Sequence, residues 1–175
     1  MDRKYIDDYK DYFQEIGSTD DAIYNVGYCI FDINQDGTPE LLIDSEPDNI
    51  DHAWRLNALY TYNPSNKSVM KIDVLYNYGG FRYEKNEHEL VYTEIRPTYV
   101  TGYYGFYKLE NYTLVSTKTV AHDRGYYNVY DGTYAYDDHM VWNANGEKKD
   151  ITEEEENAYF DNVIDFSYQD ITNVK

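Results

Sequence analysis

"FDINQDGTPELLI", residues 31–43, joins two short apolar runs through a loop rich in oxygen-bearing side chains. Before it, "IYNVGYCIF" (residues 23–31) reads as a strand that is apolar on both faces, and "ELLI" (residues 40–43) reads as its partner. Gly37 falls at the sharpest point of the loop, where a Cβ would be in the way. The stretch therefore predicts a β-hairpin.

On the C-terminal side the texture continues as a meander. "LNALYTYN", "VMKIDVLY", "FRYEKN", "ELVYTEI", "TYVTGYYGFYKLE" and "YTLVSTKTVAH" alternate apolar and polar residues and are separated by short polar turns. Such close spacing argues for antiparallel strands over crossover units. Between His122 and Asp150, "YNVY" and "HMVWN" read as further strands, with turn chemistry at "DG" and "NG". Toward the N-terminus, Tyr5, Ile6, Tyr9, Tyr12, Phe13 and Ile16 recur at helical spacing, and Gly17 stands where a C-cap would. Near the other end, Thr152 and Glu155 have capping-box spacing, Ile151 is placed to staple the first turn, and acids fill that turn. Ala158, Tyr159, Val163 and Phe166 would form the inner stripe of that helix. The expectation is a single α+β domain over residues 1–175. It has a largely antiparallel meander sheet of about five to eight strands, with N-terminal and C-terminal helices packed on it.

Composition supports a folded chain without disulfides. At 175 residues the chain can bury a real core, 42% of it is hydrophobic, and Cys29 has no second cysteine to pair with. Cys29 lies inside "YCIF", where a small buried hydrophobe is expected. Tyrosine dominates the aromatics, 23 against 6 Phe and 2 Trp, which suits sheet faces that bury a ring and leave its hydroxyl wet. The balance of 33 acids against 15 bases gives a charge of -18, a field that repels phosphate backbones and attracts cations. Nucleic acid is thereby disfavoured as a partner. A mean hydropathy of -0.80, with no bilayer-length apolar run, argues against membrane insertion.

The loop has a metal-ligand rhythm. Counting Asp32 as one, Asn34 is three, Asp36 five, Gly37 six, Thr38 seven and Glu40 nine. Calcium takes about six to eight hard oxygens, and a loop curling round the ion offers them at alternate residues. Asp32, Asn34 and Asp36 would contribute side chains, Thr38 its carbonyl and Glu40 a closing carboxylate. An EF-hand is not the match, because its twelfth position needs a bidentate Glu and here is Ile43. The same residue types also make ordinary tight turns. The stretch resembles the loops of FG-GAP and VCBS-type repeats and integrin propeller blades. It is still more similar to a single D-x-[ND]-x-D-G-x-P-E-L hairpin found in surface and secreted proteins of Firmicutes. That resemblance covers about twenty residues and implies a structural calcium held by Asp32, Asn34, Asp36, Thr38 and Glu40.

No catalytic pattern stands out. His52, His88, His122 and His139 are scattered, and "DDH" at Asp137 to His139 reads as a solvated turn before a metal site. Tyr103, Tyr104, Tyr107, Tyr126 and Tyr127 cluster in two short stretches as candidate ligand-binding aromatics, although strand alternation should turn half of such rings inward. The expectation is a non-catalytic binding module of a bacterial cell-surface or secreted protein, with a protein or glycan partner. A glycan-directed hydrolase with dispersed carboxylates is the first alternative. The second is an acidic intracellular inhibitor or immunity-type protein, which would place the chain in the cytoplasm.

Overall fold

The computed structural model describes residues 26–45, 58–72, 80–95, 101–125 and 127–170. Strands account for 60% of it and helix for 5%, so the protein is an antiparallel β structure and the α+β expectation is overturned. The N-terminal helix expected over residues 5–16 lies outside the described residues. The chain clusters into two compact units. The first comprises residues 1–76, 109–114 and 166–175; the second comprises residues 77–108 and 115–165.

The first unit holds the hairpin predicted from the opening stretch. Strand β1 (Val26–Phe31) pairs with β2 (Glu40–Ser45), from Phe31 opposite Glu40 to Val26 opposite Ser45. Strands β3 (Ala58–Asn63) and β4 (Ser68–Ile72) continue the sheet, and β14 (Gln169–Asp170) pairs with β1 on its other side. Leu41, Leu42 and Ile43 are all fully buried, as an unbroken apolar run in a central strand requires. Phe166 packs edge-to-face on Phe31, with ring centroids 5.3 Å apart. Cys29 is buried, and desolvation pushes its thiol up to about 11, so it sits there as a small hydrophobe.

The second unit is a seven-stranded sheet in the order β12-β11-β8-β7-β6-β5-β13. Its strands are β5 (Phe81–Glu84), β6 (Glu89–Ile95), β7 (Thr101–Glu110), β8 (Thr113–Arg124), β11 (Asp137–Asn143), β12 (Lys148–Ile151) and β13 (Val163–Asp165). A two-stranded ribbon, β9 (Tyr127–Asn128) with β10 (Thr133–Tyr134), lies in sequence between β8 and β11. The tight turns that link neighbouring strands share one device, a positive φ near the tip. It occurs at Lys67, His88, Asn111, Tyr112, Gly132 and Gly146, and it lets the ladder resume in register. Val91, Phe106, Val120 and Val141 form an apolar row across β6, β7, β8 and β11, and Tyr159 and Phe160 cover it.

The C-terminal helix is much shorter than expected. Helix α1 spans Glu153–Ala158, and Thr152 and Glu155 form the anticipated capping box. Tyr159 is its C-cap, and beyond it Val163 and Ile164 pair with Glu84 and Tyr83 of β5 instead of extending the stripe. β-Branched residues lose rotamer freedom in a helix, and the edge of β5 offers them a backbone ladder. Local helical spacing loses to that tertiary pairing.

Candidate functional site

The Asp32–Glu40 loop is organised by its own side chains. Asp32 Oδ1 and Asn34 Oδ1 both accept from the Asp36 backbone N–H, at 3.1 and 3.3 Å, so the two oxygens converge on one point. Asp32 Oδ2 accepts from Gly37 N–H at 2.9 Å, and Asp36 Oδ1 accepts from Thr38 N–H at 2.7 Å. The Asn34 amide donates to Asp36 Oδ2 at 3.1 Å. Gly37 adopts φ +88°, where an L side chain would be strained. The bonds brace a turn, and they also leave a second lone pair on each oxygen that accepts only one of them. An all-oxygen set of this kind fits a hard cation such as calcium.

Glu40 is placed differently from its neighbours. Its side chain is turned inward and buried, with Oε2 accepting from Ile33 N–H and Oε1 from the Thr61 hydroxyl, each at 3.0 Å. Burial pushes its carboxyl up to about 7 against those two hydrogen bonds, and the nearby Asp36 and Asp32 charges add to the rise. The residue thus ties the end of the loop to β2 and β3, and the three carboxylates feel one another.

Of the candidate aromatics, Tyr104 packs edge-to-face on Phe160, with centroids 4.7 Å apart, and so belongs to the inner face of the second unit. Tyr103 and Tyr107 lie two places either side of Gly105 on the opposite face, and both are half-buried. The Tyr107 ring leans over Gly105, where an added Cβ would stand 2.6 Å from its hydroxyl. Tyr126 and the Tyr127 side chain lie outside the described residues.

Two features were not legible in the sequence. The first is the tip of the β9–β10 ribbon. "YNVY" reads as a strand, yet only its first half is one; Val129 and Tyr130 form the turn and are 75% and 97% exposed. The tip is held by its own polar groups. Asn128 Oδ1 accepts from Tyr130 N–H at 3.0 Å, Asp131 Oδ1 accepts from Thr133 N–H at 3.0 Å, and Asn128 Nδ2 donates to Asp131 Oδ2 at 2.8 Å.

The second feature gathers "DDH" with a distant histidine. His122 of β8 and His139 of β11 are direct cross-strand partners, with ring centroids 4.1 Å apart. Glu156 of α1 and Asp137 of β11 flank them on opposite sides. Asp137 Oδ1 is 2.5 Å from His122 Nε2 and 3.5 Å from His139 Nε2. Glu156 Oε2 is in contact with His139 Nδ1 and lies 3.8 Å from His122 Nδ1. Arg124 bonds Asp137 Oδ1 at 3.1 Å and lies over the Tyr134 ring. Partial burial acts to raise the Asp137 carboxyl, but the bonds from His122 and Arg124 outweigh it and hold the group below the usual carboxylate range.

No family model, curated protein or solved structure matches this chain. Among the described residues, no helix is long and apolar enough to cross a membrane.

Proposed function

We propose that this chain is a calcium-stabilised, non-catalytic binding module of a bacterial cell-surface or secreted protein, docking through the tip of its β9–β10 ribbon. The observation that carries the reading is the pair Val129 and Tyr130, held in solvent by a turn whose backbone is fixed by Asn128 and Asp131. An exposed valine and tyrosine on a floppy tip would lose much of their contact energy to ordering. On a braced tip that cost is already met. Tyrosine is also among the residues that most often dominate interfaces. A protruding pair of this shape suits an apolar pocket on a partner protein better than the flat face of a sugar.

What supports the envelope location is the loop at Asp32–Glu40. Its oxygen donors are of the kind used by weak calcium sites, which fill where calcium is millimolar. The loop's similarity to surface and secreted Firmicutes proteins points the same way. The acidic surface adds a preference for basic partners.

The test is binding of the whole chain to extracellular and envelope proteins of its host, with a glycan array in parallel. A protein retained by the wild type should bind at least about 30-fold more weakly to a Val129→Ser/Tyr130→Ser variant, the loss expected of a hot spot. Equal retention by both chains, or sugar binding that the variant keeps, would contradict docking through the tip.

A further inference from the structure

We propose that His122, His139 and Glu156 form a binding site for a zinc-class divalent transition metal, oriented by Asp137. The proposal is independent of docking through the ribbon tip and of calcium at the first hairpin. It rests on a constellation assembled from three elements, β8, β11 and α1.

The fold brings the donors together in steps. In an antiparallel ladder, directly opposed residues project to the same face with Cβ atoms about 4.5–5.5 Å apart. The β8–β11 register therefore lays three pairs along one face: Val120 with Val141, His122 with His139, and Arg124 with Asp137. The first pair belongs to the apolar row, and the last is an ion pair at the wetter end. The histidines sit between them. Helix α1 packs on β11, and its capping box fixes where the helix begins, so its fourth residue, Glu156, is delivered against both rings.

The ring atoms are sorted. Both Nδ1 atoms face the Glu156 carboxylate, and both Nε2 atoms face Asp137. A metal-bound histidine characteristically uses one nitrogen for the metal and gives the other N–H to a carboxylate. One carboxylate, Asp137, is hydrogen-bonded to His122 Nε2 and lies 3.5 Å from His139 Nε2. An Nε2–H given to Asp137 leaves the His122 Nδ1 lone pair turned toward Glu156, and the His139 ring presents its Nδ1 to the same carboxylate. Arg124 bonds Asp137 at 3.1 Å and holds it in place for that task.

The distances and charges fit the assignment. One donor atom from each of His122, His139 and Glu156 falls within 4.8 Å of the others. Tetrahedral bonds of about 2.0–2.1 Å place neighbouring donors roughly 3.4 Å apart, a small side-chain adjustment away. Glu156 is 7% exposed, and burying a carboxylate calls for a compensating positive charge. Its ion-pair partners among the described residues are the two histidines, and a divalent cation between them supplies that charge permanently. Two imidazoles and one carboxylate favour zinc, cobalt, nickel or copper over calcium or magnesium. Three protein ligands leave the fourth position to water.

The experiment is isothermal titration of the full chain with zinc chloride in excess calcium, which keeps the acidic hairpin loop occupied. Cobalt titration, followed by visible absorption, reads the coordination geometry. One zinc per chain is expected, with tetrahedral cobalt bands. Glu156→Gln, which preserves shape, should weaken zinc binding by at least 100-fold, as should His139→Ala. Asp137→Asn should weaken it 10- to 100-fold through ring orientation alone. His88→Ala, far from the cluster in the ladder, should leave it unchanged. No stoichiometric zinc binding by the wild type would overturn the site. So would binding to a folded Glu156→Gln chain at wild-type strength, or octahedral cobalt spectra that all variants share.

Discussion

Phe106→Ala is expected to lower the free energy of unfolding by about 3–5 kcal/mol, the cost of removing a buried aromatic that its surroundings cannot collapse to replace. Phe106 is fully buried at the centre of the second unit, and four other groups depend on it. Val91 opposes it on β6, Tyr159 and Phe160 pack on it with tilted rings at 6.4 and 6.0 Å, and the Lys118 ammonium lies over its ring at 4.5 Å. That ammonium is also the partner of Glu89, at 2.5 Å, and Glu89 is only 2% exposed. Losing the ring therefore loosens the cation that compensates a buried carboxylate. It also removes the floor under the residues that follow α1, and so disturbs the Glu156 side of the histidine pair. Guanidinium unfolding would check this, with Tyr130→Ser as the surface control expected within about 0.5 kcal/mol of wild type. A loss below about 1 kcal/mol for Phe106→Ala would mean that the apolar row is not the core of this unit.

The second large effect concerns Glu40. Its carboxyl lies near 4.5 when free in an unfolded chain and is pushed up to about 7 in the fold, so folding favours the protonated form. The stabilisation is fully present below pH 4.5 and is lost as pH rises through about 7. At about 1.4 kcal/mol per unit, the loss attributable to this one group is about 3 kcal/mol. Glu40→Gln retains an acceptor for Ile33 N–H and a partner for Thr61 but cannot ionise. With calcium chelated, the difference in stability between wild type and Glu40→Gln should therefore grow in the variant's favour between pH 4.5 and pH 8. Parallel stability curves for the two chains across that range would show that Glu40 is not desolvated as described.

Much of the β architecture was legible where local pattern and tertiary structure agree. Val26–Phe31 and Glu40–Ser45 could be paired because an apolar run on each side of a loop containing Gly37 has few other ways to be buried. The capping box was legible because Thr152 and Glu155 satisfy each other within four residues. The extent of α1 was not, since Val163 and Ile164 fit a helical stripe and a strand equally well, and the decision belongs to β5. The inward turn of Glu40 depends on Thr61, which is brought close only by the β2–β3 ladder. The histidine pair is hidden for the same reason. Seventeen places separate His122 from His139, with the β9–β10 ribbon between them, and their meeting depends on a register that no spacing rule contains. "DDH" was visible as residues but carried no sign of its partner strand. Tyr130 was visible only as the end of the "YNVY" run, and its exposure follows from Asn128 and Asp131 making a turn that begins two residues earlier than strand propensity suggests.

In the proposed reading, calcium at the Asp32–Glu40 loop fixes the first hairpin. Asp32, Asn34 and Asp36 are already drawn together by their bonds to the loop backbone, and an ion binding only that arrangement stabilises it by mass action. At a hundredfold excess over the dissociation constant the gain is about 2.7 kcal/mol, which in a chain of this size is roughly 5–10 °C in Tm. The direct measurement is a pair of thermal melts at neutral pH, in calcium at a hundredfold excess over the dissociation constant (about 10 mM for a site of about 0.1 mM) and in chelator, for wild type and Asp36→Ala. A rise of that size is expected in the wild type and none in the variant. Wild-type melts that coincide with and without calcium would contradict it and leave the loop as a self-bonded turn.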